Sequence, residues 1–149
     1  MLSQAVGYAA TALGHIAAAA GKHVLIKEIA QAADIPAPYL AKIVQSLARK
    51  GLVTTQRGVG GGVVLAKLAP EITLYELCEA LGDPAVETRC MLGTAECTDA
   101  RACPCHSFWT QHRERATDFL RRTTVADVAA FETRKRWKSN GAAKPGENS

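Results

Sequence analysis

The spacing of apolar residues in the first third of the chain predicts three helices. Apolar positions recur with a helical period from Leu2 to Ala20, and Gly21 stands where a helix C-cap is expected. A short helix is predicted from Ile26 to Ala33 and another from Pro38 to Lys50, with turn-forming residues at 34–36 between them. Two helices joined by so short a turn are typical of a helix-turn-helix.

After this helix pair the apolar pattern changes from a helical to a strand-like period. Residues 52–56 and 63–66 are rich in β-prone side chains, and they flank a glycine-rich stretch at 57–62. We therefore predict a β-hairpin with a flexible tip. The glycine-rich stretch is not a phosphate-binding loop, because it lacks the Lys-Ser/Thr pair and is followed by a strand instead of a helix.

The rest of the chain is predicted to be helical around one cysteine-rich loop. Helices are predicted from Thr73 to Leu81 and from His106 to Arg122, with a last short helix capped by Thr124. The fold class is thus mainly α with a small β-hairpin wing. The predicted segments are a winged helix-turn-helix domain at 1–82, a cysteine-rich sensor loop at 83–106, a dimerisation helix and a C-terminal helix at 107–137, and a disordered tail at 138–149.

Charge and composition favour a nucleic-acid partner over a membrane. Residues 1–67 carry seven Lys or Arg against two acids, whereas residues 68–149 carry eleven against twelve. The apolar start has no basic region before it, and Lys22 and His23 interrupt it before a membrane span is complete. We expect a cytoplasmic protein with no membrane partner. We do not expect an enzyme, because the sequence shows no nucleophile-base pair, no paired acids and no cofactor loop.

The second helix of the helix-turn-helix and the hairpin are the predicted DNA contacts. The N-terminal half of such a helix faces base edges in the major groove. Glycines at a hairpin tip let the backbone approach the duplex, and an arginine beside them suits a narrow minor groove. An ordinary solvated charge is the alternative for each lysine. The candidates are Pro38, Tyr39, Lys42, Gln45, Arg49 and Lys50 on the helix, and Arg57, Gly58 and Gly60 on the hairpin.

Four of the five cysteines are crowded into one loop. They stand at 90, 97, 103 and 105, and His106 follows directly. An odd number of cysteines spaced in this way is unlike a disulfide framework. Three or four thiolates within sixteen residues can converge on one metal centre, while zinc binding or reversible disulfide formation are the alternatives. Cys78, among leucines on a predicted helix, is interpreted as a small buried hydrophobe.

The hairpin and the segments around it resemble one family of bacterial regulators. Gly51-Leu52-Val53, followed by the run from Arg57 to Ala66, is similar to the wing signature of the IscR/NsrR/RirA-type family of iron-sulfur winged-helix transcription regulators. The resemblance extends over about residues 1–137. Its other matching segments, in order, are Leu2-Ser3, Tyr8-Ala9, Ala12-Leu13, Ile29-Ala30 to Ile35, Tyr39-Leu40 and Ile72-Thr73-Leu74.

This resemblance implies a homodimer that binds a palindromic DNA operator and holds an iron-sulfur cluster in the cysteine-rich loop. It implies Cys90, Cys97 and Cys103 as thiolate ligands, and His106, three residues after the last of them, as the fourth. Cys105 remains the alternative fourth ligand. Three cysteines and one histidine favour a 2Fe-2S over a 4Fe-4S cluster, but the first gap is one residue longer than in the family's iron-sulfur-assembly regulator, so the cluster type stays open.

The long predicted helix has an apolar seam that suits a partner subunit. Phe108, Trp109, Phe119 and Leu120 fall at helical spacing, and a two-fold dimer would match an operator with two half-sites. Two alternatives remain open at this point. One is a regulator of the same fold that senses zinc or thiol redox state, and the other is a redox or metal-binding protein that does not bind DNA.

Overall fold

The computed structural model describes residues 1–93 and 95–141, and for residues 136–141 it describes the backbone only. In this part of the chain three short 3-10 turns at Ala69–Glu71, Pro84–Val86 and Asp99–Arg101 link the longer elements. Those elements are helices α1 (Gln4–Ala18), α2 (Ile26–Ala33), α3 (Ala37–Arg49), α4 (Leu74–Leu81), α5 (His106–Arg122) and α6 (Val125–Gly141), and strands β1 (Val53–Gln56) and β2 (Gly62–Leu65).

Helix α1 lies at the centre of the core. It begins after Ser3, whose hydroxyl accepts a hydrogen bond from the backbone N–H of Val6, as expected of an N-cap. Its apolar stripe is buried, at Val6, Ala9, Leu13 and Ile16. At Gly14 a Cβ atom would lie 3.2 Å from Cγ1 of Val128 in α6, so the absence of a side chain lets the two helices pack closely.

The predicted helix-turn-helix is formed by α2 and α3. Helix α2 ends at Asp34 in the left-handed conformation, and Ile35 then turns into the core. Pro38 lies in the first turn of α3, where its missing N–H leaves no hydrogen bond unmade. Leu40, Ile43, Val44 and Leu47 are buried, so the opposite face of α3 points outward.

The wing is an antiparallel pair in which Val53 lies opposite Leu65 and Gln56 lies opposite Gly62. A short bridge from Val24 to Val63 holds the hairpin on the body of the domain. A Cβ at Gly62 would lie 2.6 Å from the carbonyl oxygen of Val24. Gly62 is therefore required by the packing of the hairpin on the domain, whereas Gly58 and Gly60, which are predicted to lie near DNA, have open space where a Cβ would be.

The second half of the chain differs from its prediction in the last helix. Helix α5 has the predicted bounds, but α6 runs for 17 residues from Val125 to Gly141, where the sequence predicts a short helix and a tail from residue 138. No proline or glycine interrupts the chain before Gly141, so nothing local stops the helix earlier. The remainder of the predicted tail, residues 142–149, lies outside the described residues.

The predicted seam of α5 is divided between the core and the surface. Leu120 is buried in the core of its own chain, whereas Phe108 and Phe119 are 63% and 62% exposed. Val125 at the start of α6 is also fully buried, so the core spans both sides of the predicted domain boundary at residue 82. Within the described residues, no helix combines the length and the apolar character needed to cross a bilayer.

Candidate DNA-binding surface and cysteine-rich loop

The outward face of α3 presents the side chains that the sequence predicts for DNA contact. Pro38, Lys42, Gln45 and Arg49 are exposed and recur every three or four residues, which places them on one stripe of the helix. A hydrogen bond of 3.2 Å from Nη2 of Arg49 to Oγ of Ser46 orients the guanidinium along this stripe. The structure therefore brings these four predicted residues onto one surface.

Tyr39 has a packing role that the sequence does not reveal. Its ring contacts the ring of Tyr8 edge-on at a centroid distance of 5.7 Å, and the Tyr8 hydroxyl accepts a hydrogen bond of 3.0 Å from the side chain of Gln4. Because Tyr8 and Gln4 belong to α1, this contact fixes the start of α3 relative to α1. Tyr39 is still 38% exposed, so packing and DNA contact are compatible at this residue.

The wing residues predicted for DNA contact are exposed at the hairpin tip. Arg57, Gly58 and Gly60 lie on the surface, as does Lys50 at the end of α3. Gly58 and Gly60 have φ values of 91° and 75°, which a residue with a Cβ adopts only with strain. The tip is thus shaped by its glycines and has a cation at its base.

The cysteine-rich loop is held together by backbone hydrogen bonds between its two arms. The N–H of Cys90 donates to the carbonyl of Ala95 at 2.8 Å, and the N–H of Cys97 donates to the carbonyl of Thr88 at 3.0 Å. The indole N–H of Trp109 in α5 donates to the carbonyl of Arg89 at 2.9 Å. This last bond anchors the loop, at the residue before Cys90, to the long helix.

The four predicted metal ligands lie in two pairs. Sγ of Cys90 is 3.7 Å from Sγ of Cys103, and Sγ of Cys97 is 3.2 Å from Nδ1 of His106. The other ring nitrogen of His106, Nε2, lies 2.6 Å from Oδ1 of Asp99. Among the described residues, no three or more Cys, His, Asp or Glu side chains are grouped so as to hold a metal ion.

Cys103 and Cys105 differ in how readily they ionise. The backbone N–H of Cys105, and then hydrogen bonds from Cys90 and Cys105, lower the pKa of Cys103. Burial and the charge of Cys103 raise the pKa of Cys105. Cys103 is therefore the better thiolate and Cys105 the better hydrogen-bond donor. This supports Cys103 as a ligand and gives Cys105 a supporting position beside it.

Two buried groups lie behind the loop. Cys78 is fully buried, as expected from the sequence, and burial together with the nearby charge of Asp83 raises its pKa to about 11. Asp83, which sequence reasoning missed, is 2% exposed and accepts hydrogen bonds of 2.8 Å from the backbone N–H groups of Ser3 and Ala85. It ties the start of α1 to the segment that leads into the cysteine-rich loop.

A winged helix with an outward-facing second helix defines a DNA-binding protein of the transcription-regulator class, and in this chain it is joined to a loop of four cysteines and one histidine. The comparisons with known proteins agree with this class. The chain matches the Rrf2 family, described as iron-dependent transcriptional regulators, over residues 2–130. It is 33% identical over 134 residues to an HTH-type transcriptional regulator of Aquifex aeolicus, covering 89% of this chain and 93% of that protein.

Three further similar proteins carry two different regulator names, IscR and CymR. The chain is 32% identical over 103 residues to the regulator IscR of Klebsiella pneumoniae, covering 69% of this chain and 63% of that protein. It is similar in structure to CymR, the global cysteine regulator of B. subtilis, with a TM-score of 0.71 and 26% identity over 88% of this chain and 97% of that one. At 21% identity and a TM-score of 0.66, IscR of T. potens shares the fold, over 98% of this chain and 93% of that one.

The chain belongs to the Rrf2 family and is a transcriptional regulator. The family resemblance and the fold class predicted from the sequence are thereby confirmed, as is the expectation that the chain is a regulator and not an enzyme.

Proposed function

We propose that this chain is a DNA-binding regulator whose operator affinity is controlled by a 2Fe-2S cluster held by Cys90, Cys97, Cys103 and His106. It would act in the cytoplasm as a homodimer on a palindromic operator. The observation that carries the proposal is the arrangement of the four side chains in two pairs. The cluster would supply a group whose assembly and oxidation state depend on iron, oxygen or nitric oxide.

The pairwise arrangement favours a two-iron cluster over a single zinc ion. Two thiolates bound tetrahedrally to one metal at about 2.3 Å lie about 3.8 Å apart, and the Sγ atoms of Cys90 and Cys103 are 3.7 Å apart. A structural zinc ion needs four ligands around one point, whereas a 2Fe-2S cluster takes two protein ligands on each iron. The soft thiolates and the imidazole of this loop suit iron and sulfide.

His106 is a better fourth ligand than Cys105 in this arrangement. It faces Cys97 through Nδ1 and so completes the second pair, whereas Cys105 lies beside Cys103 and hydrogen-bonds to it. His106 is also the first residue of α5, with its N–H donating to the carbonyl of Cys103 at 3.0 Å. A ligand at this place connects the sensor loop directly to the long helix.

The same helix offers a route from the sensor loop to the DNA-binding half. Trp109 holds the loop on α5, and the carbonyl of Thr123 just after α5 accepts a hydrogen bond of 2.9 Å from the N–H of Leu74 at the start of α4. A change in the loop would move α5 and alter the spacing of the two α3 helices in a dimer. For useful regulation the two sensor states must differ in DNA affinity by about 1–3 kcal/mol.

The exposed aromatic residues of α5 support the homodimer. Phe108 and Phe119 lie eleven residues apart, which is three helical turns, and both are exposed on the same side of the helix. A cleft of about 640 Å³ between α5 and the start of α1 is lined by Phe119, Trp109 and Cys90. A partner helix seated on this face would therefore lie next to the cysteine-rich loop.

The cluster is tested by purifying the protein without oxygen and measuring its visible absorption, iron and acid-labile sulfide. We expect brown protein with two irons and two sulfides per chain. His106→Ala should lose the cluster or hold it much more weakly, whereas Cys105→Ala should keep it. His23→Ala removes an exposed histidine beside Val24, which bridges to the wing, and is the matched control. Colourless protein that resists anaerobic reconstitution would overturn the iron-sulfur assignment.

DNA binding is tested by selecting an operator from a random pool and measuring affinity against salt. We expect a linear fall in log affinity with log salt concentration, and Arg57→Ala should weaken binding and reduce the slope by about one. Unchanged binding in Arg57→Ala would remove this residue from the interface. Affinity that does not depend on salt would favour a redox or metal-binding protein that uses its winged helix for protein contacts.

The second candidate function is thiol sensing on the same fold. The 3.7 Å separation of the Cys90 and Cys103 sulfurs is short enough for a disulfide to form after a small movement. In that case colourless, iron-free protein would show a DNA affinity that changes on oxidation and recovers with a thiol reductant. Cys90→Ser would abolish this response, while Cys105→Ser would retain it.

A further inference from the structure

His106 makes contacts through both of its ring nitrogens. Nδ1 faces the sulfur of Cys97 at 3.2 Å, and Nε2 lies 2.6 Å from Oδ1 of Asp99. A carboxylate can only accept a hydrogen bond, so the proton of the neutral imidazole stands on Nε2 and the lone pair stands on Nδ1. The ring is thereby turned with its lone pair toward Cys97.

The local backbone sets this geometry. Asp99 is the first residue of the 3-10 turn Asp99–Arg101, two residues after Cys97, and His106 is the first residue of α5. The turn presents the carboxylate to the imidazole from the side opposite Cys97. The Asp99 side chain is fully exposed, and its hydrogen bond with His106 therefore adds little to the stability of the fold.

We infer that Asp99 is a positioning residue that fixes the tautomer and orientation of His106, so that Nδ1 is the atom that binds the cluster. The expected effect of Asp99 on cluster binding rests on the proposed function, because His106 is the fourth ligand only if the loop holds a cluster. In metal sites, a histidine ligand generally donates its second N–H to a carboxylate or carbonyl, and this contact raises the basicity of the ligating nitrogen. Asp99 occupies that place for His106.

The first measurement needs no cluster. In reduced, metal-free protein at mildly alkaline pH, ¹⁵N NMR reports which nitrogen of each imidazole carries the proton, and His106→Gln identifies the signals of His106. We expect the wild-type chain to show His106 protonated on Nε2. Asp99→Ala should lose this preference, and Asp99→Asn should keep part of it, because the amide oxygen still accepts the bond. Glu96→Gln removes an acid from the same loop and should change nothing.

The second measurement follows loss of the cluster from reconstituted protein to an iron chelator. Loss of the hydrogen-bond partner of a metal-ligating histidine typically weakens metal binding by 10- to 100-fold, so Asp99→Ala should lose its cluster at least about tenfold faster than wild type. Asp99→Asn should be intermediate, and Glu96→Gln should match wild type. If Glu96→Gln accelerates loss as much as Asp99→Ala, the effect is one of loop charge and the inference is wrong.

The two measurements separate this inference from the proposed function. A wild-type chain that takes up no cluster, but whose His106 tautomer depends on Asp99, would overturn the iron-sulfur function and leave the positioning role in place. A chain that binds a cluster, with the same tautomer and the same rate of cluster loss in Asp99→Ala as in wild type, would overturn the positioning role alone.

Discussion

Asp83 offers a sharp test of how the start of α1 is joined to the segment that leads into the cysteine-rich loop. Its carboxylate is 2% exposed and accepts hydrogen bonds of 2.8 Å from the N–H groups of Ser3 and Ala85. A hydrogen bond to a charged group contributes about 1.5–3 kcal/mol. Asp83→Ala removes both bonds, so we expect the free energy of unfolding to fall by about 3–5 kcal/mol, out of a total of about 5–15 kcal/mol for a typical domain.

Asp83→Asn removes the negative charge of this side chain while keeping nearly the same size and shape. The amide keeps one acceptor oxygen, so one of the two N–H groups loses its partner, and we expect a loss of about 2 kcal/mol. Urea denaturation of the reduced protein near neutral pH measures this as a lower midpoint with an unchanged slope. Asp127→Asn is the control, because this exposed acid also caps a helix, α6, and should cost about 1 kcal/mol or less.

The difference in free energy of unfolding between wild type and Asp83→Asn should depend on pH, and this dependence tests whether the ionised carboxylate causes it. Burial opposes ionisation of Asp83, but the hydrogen bonds from Ala85 and Ser3 outweigh it, and the pKa of Asp83 is lowered below its ordinary value of 3.8. The stability from the ionised group is therefore fully present above that value and is lost as pH falls through the lower folded-state pKa. A difference between wild type and Asp83→Asn that does not shrink in acid, or that is absent at neutral pH, would show that ionised Asp83 does not stabilise the fold in this way.

Three further substitutions or treatments test other parts of the structure. Gly62→Ala should lower the free energy of unfolding by about 2 kcal/mol or more, measured by thermal denaturation, because its Cβ would lie 2.6 Å from the Val24 carbonyl oxygen. Trp109→Phe removes the indole donor to the Arg89 carbonyl, so hydrogen exchange should accelerate in the cysteine-rich loop, by an amount corresponding to about 1 kcal/mol. Cys78, buried and with a pKa of about 11, should be the last cysteine alkylated in reduced protein, and mass spectrometry of partly labelled protein would show the reverse order if this is wrong.

The glycine and tryptophan predictions have internal controls. Gly60→Ala also places a Cβ at a positive φ, but in open space, so it should cost about 1–2 kcal/mol and less than Gly62→Ala. An equal loss of unfolding free energy in the two variants would mean that backbone strain at positive φ, and not contact with Val24, destabilises the hairpin. Phe108→Leu changes an exposed aromatic residue next to Trp109 and should leave exchange in the loop of the isolated subunit unchanged.

Several elements could be predicted from the sequence because their signals are local. Thr73 and Glu76 form the reciprocal cap that starts α4, with bonds of 3.2 and 3.0 Å, and the spacing of these two residues alone predicts it. The bounds of α5 follow from the helix-breaking and capping residues on either side, Pro104 before it and Thr123-Thr124 after it. The crowding of the cysteines likewise predicts a sensor loop, since nearness in sequence places them within reach of one another.

Which elements pack against one another could not be predicted in the same way. Gly14 interrupts the apolar run of α1 in the sequence, yet in the fold it admits Val128 of α6 at close range. Leu120 belongs to the predicted seam of α5, but it packs into its own core. A periodic pattern shows that a face is apolar without showing what covers it.

Sequence alone predicts the helix-turn-helix, the wing, the candidate DNA-contacting residues and the set of possible ligands, because each depends on residues close together in the chain. Two features appear only in the folded chain: Cys90 lies against Cys103 and Cys97 against His106, and Asp83 joins the start of α1 to the segment before the cysteine-rich loop. The pairing within the loop depends on how its two arms close, and Asp83 acts across 80 residues of chain. Such contacts depend on the packed core that holds their partners in place, which no local pattern specifies.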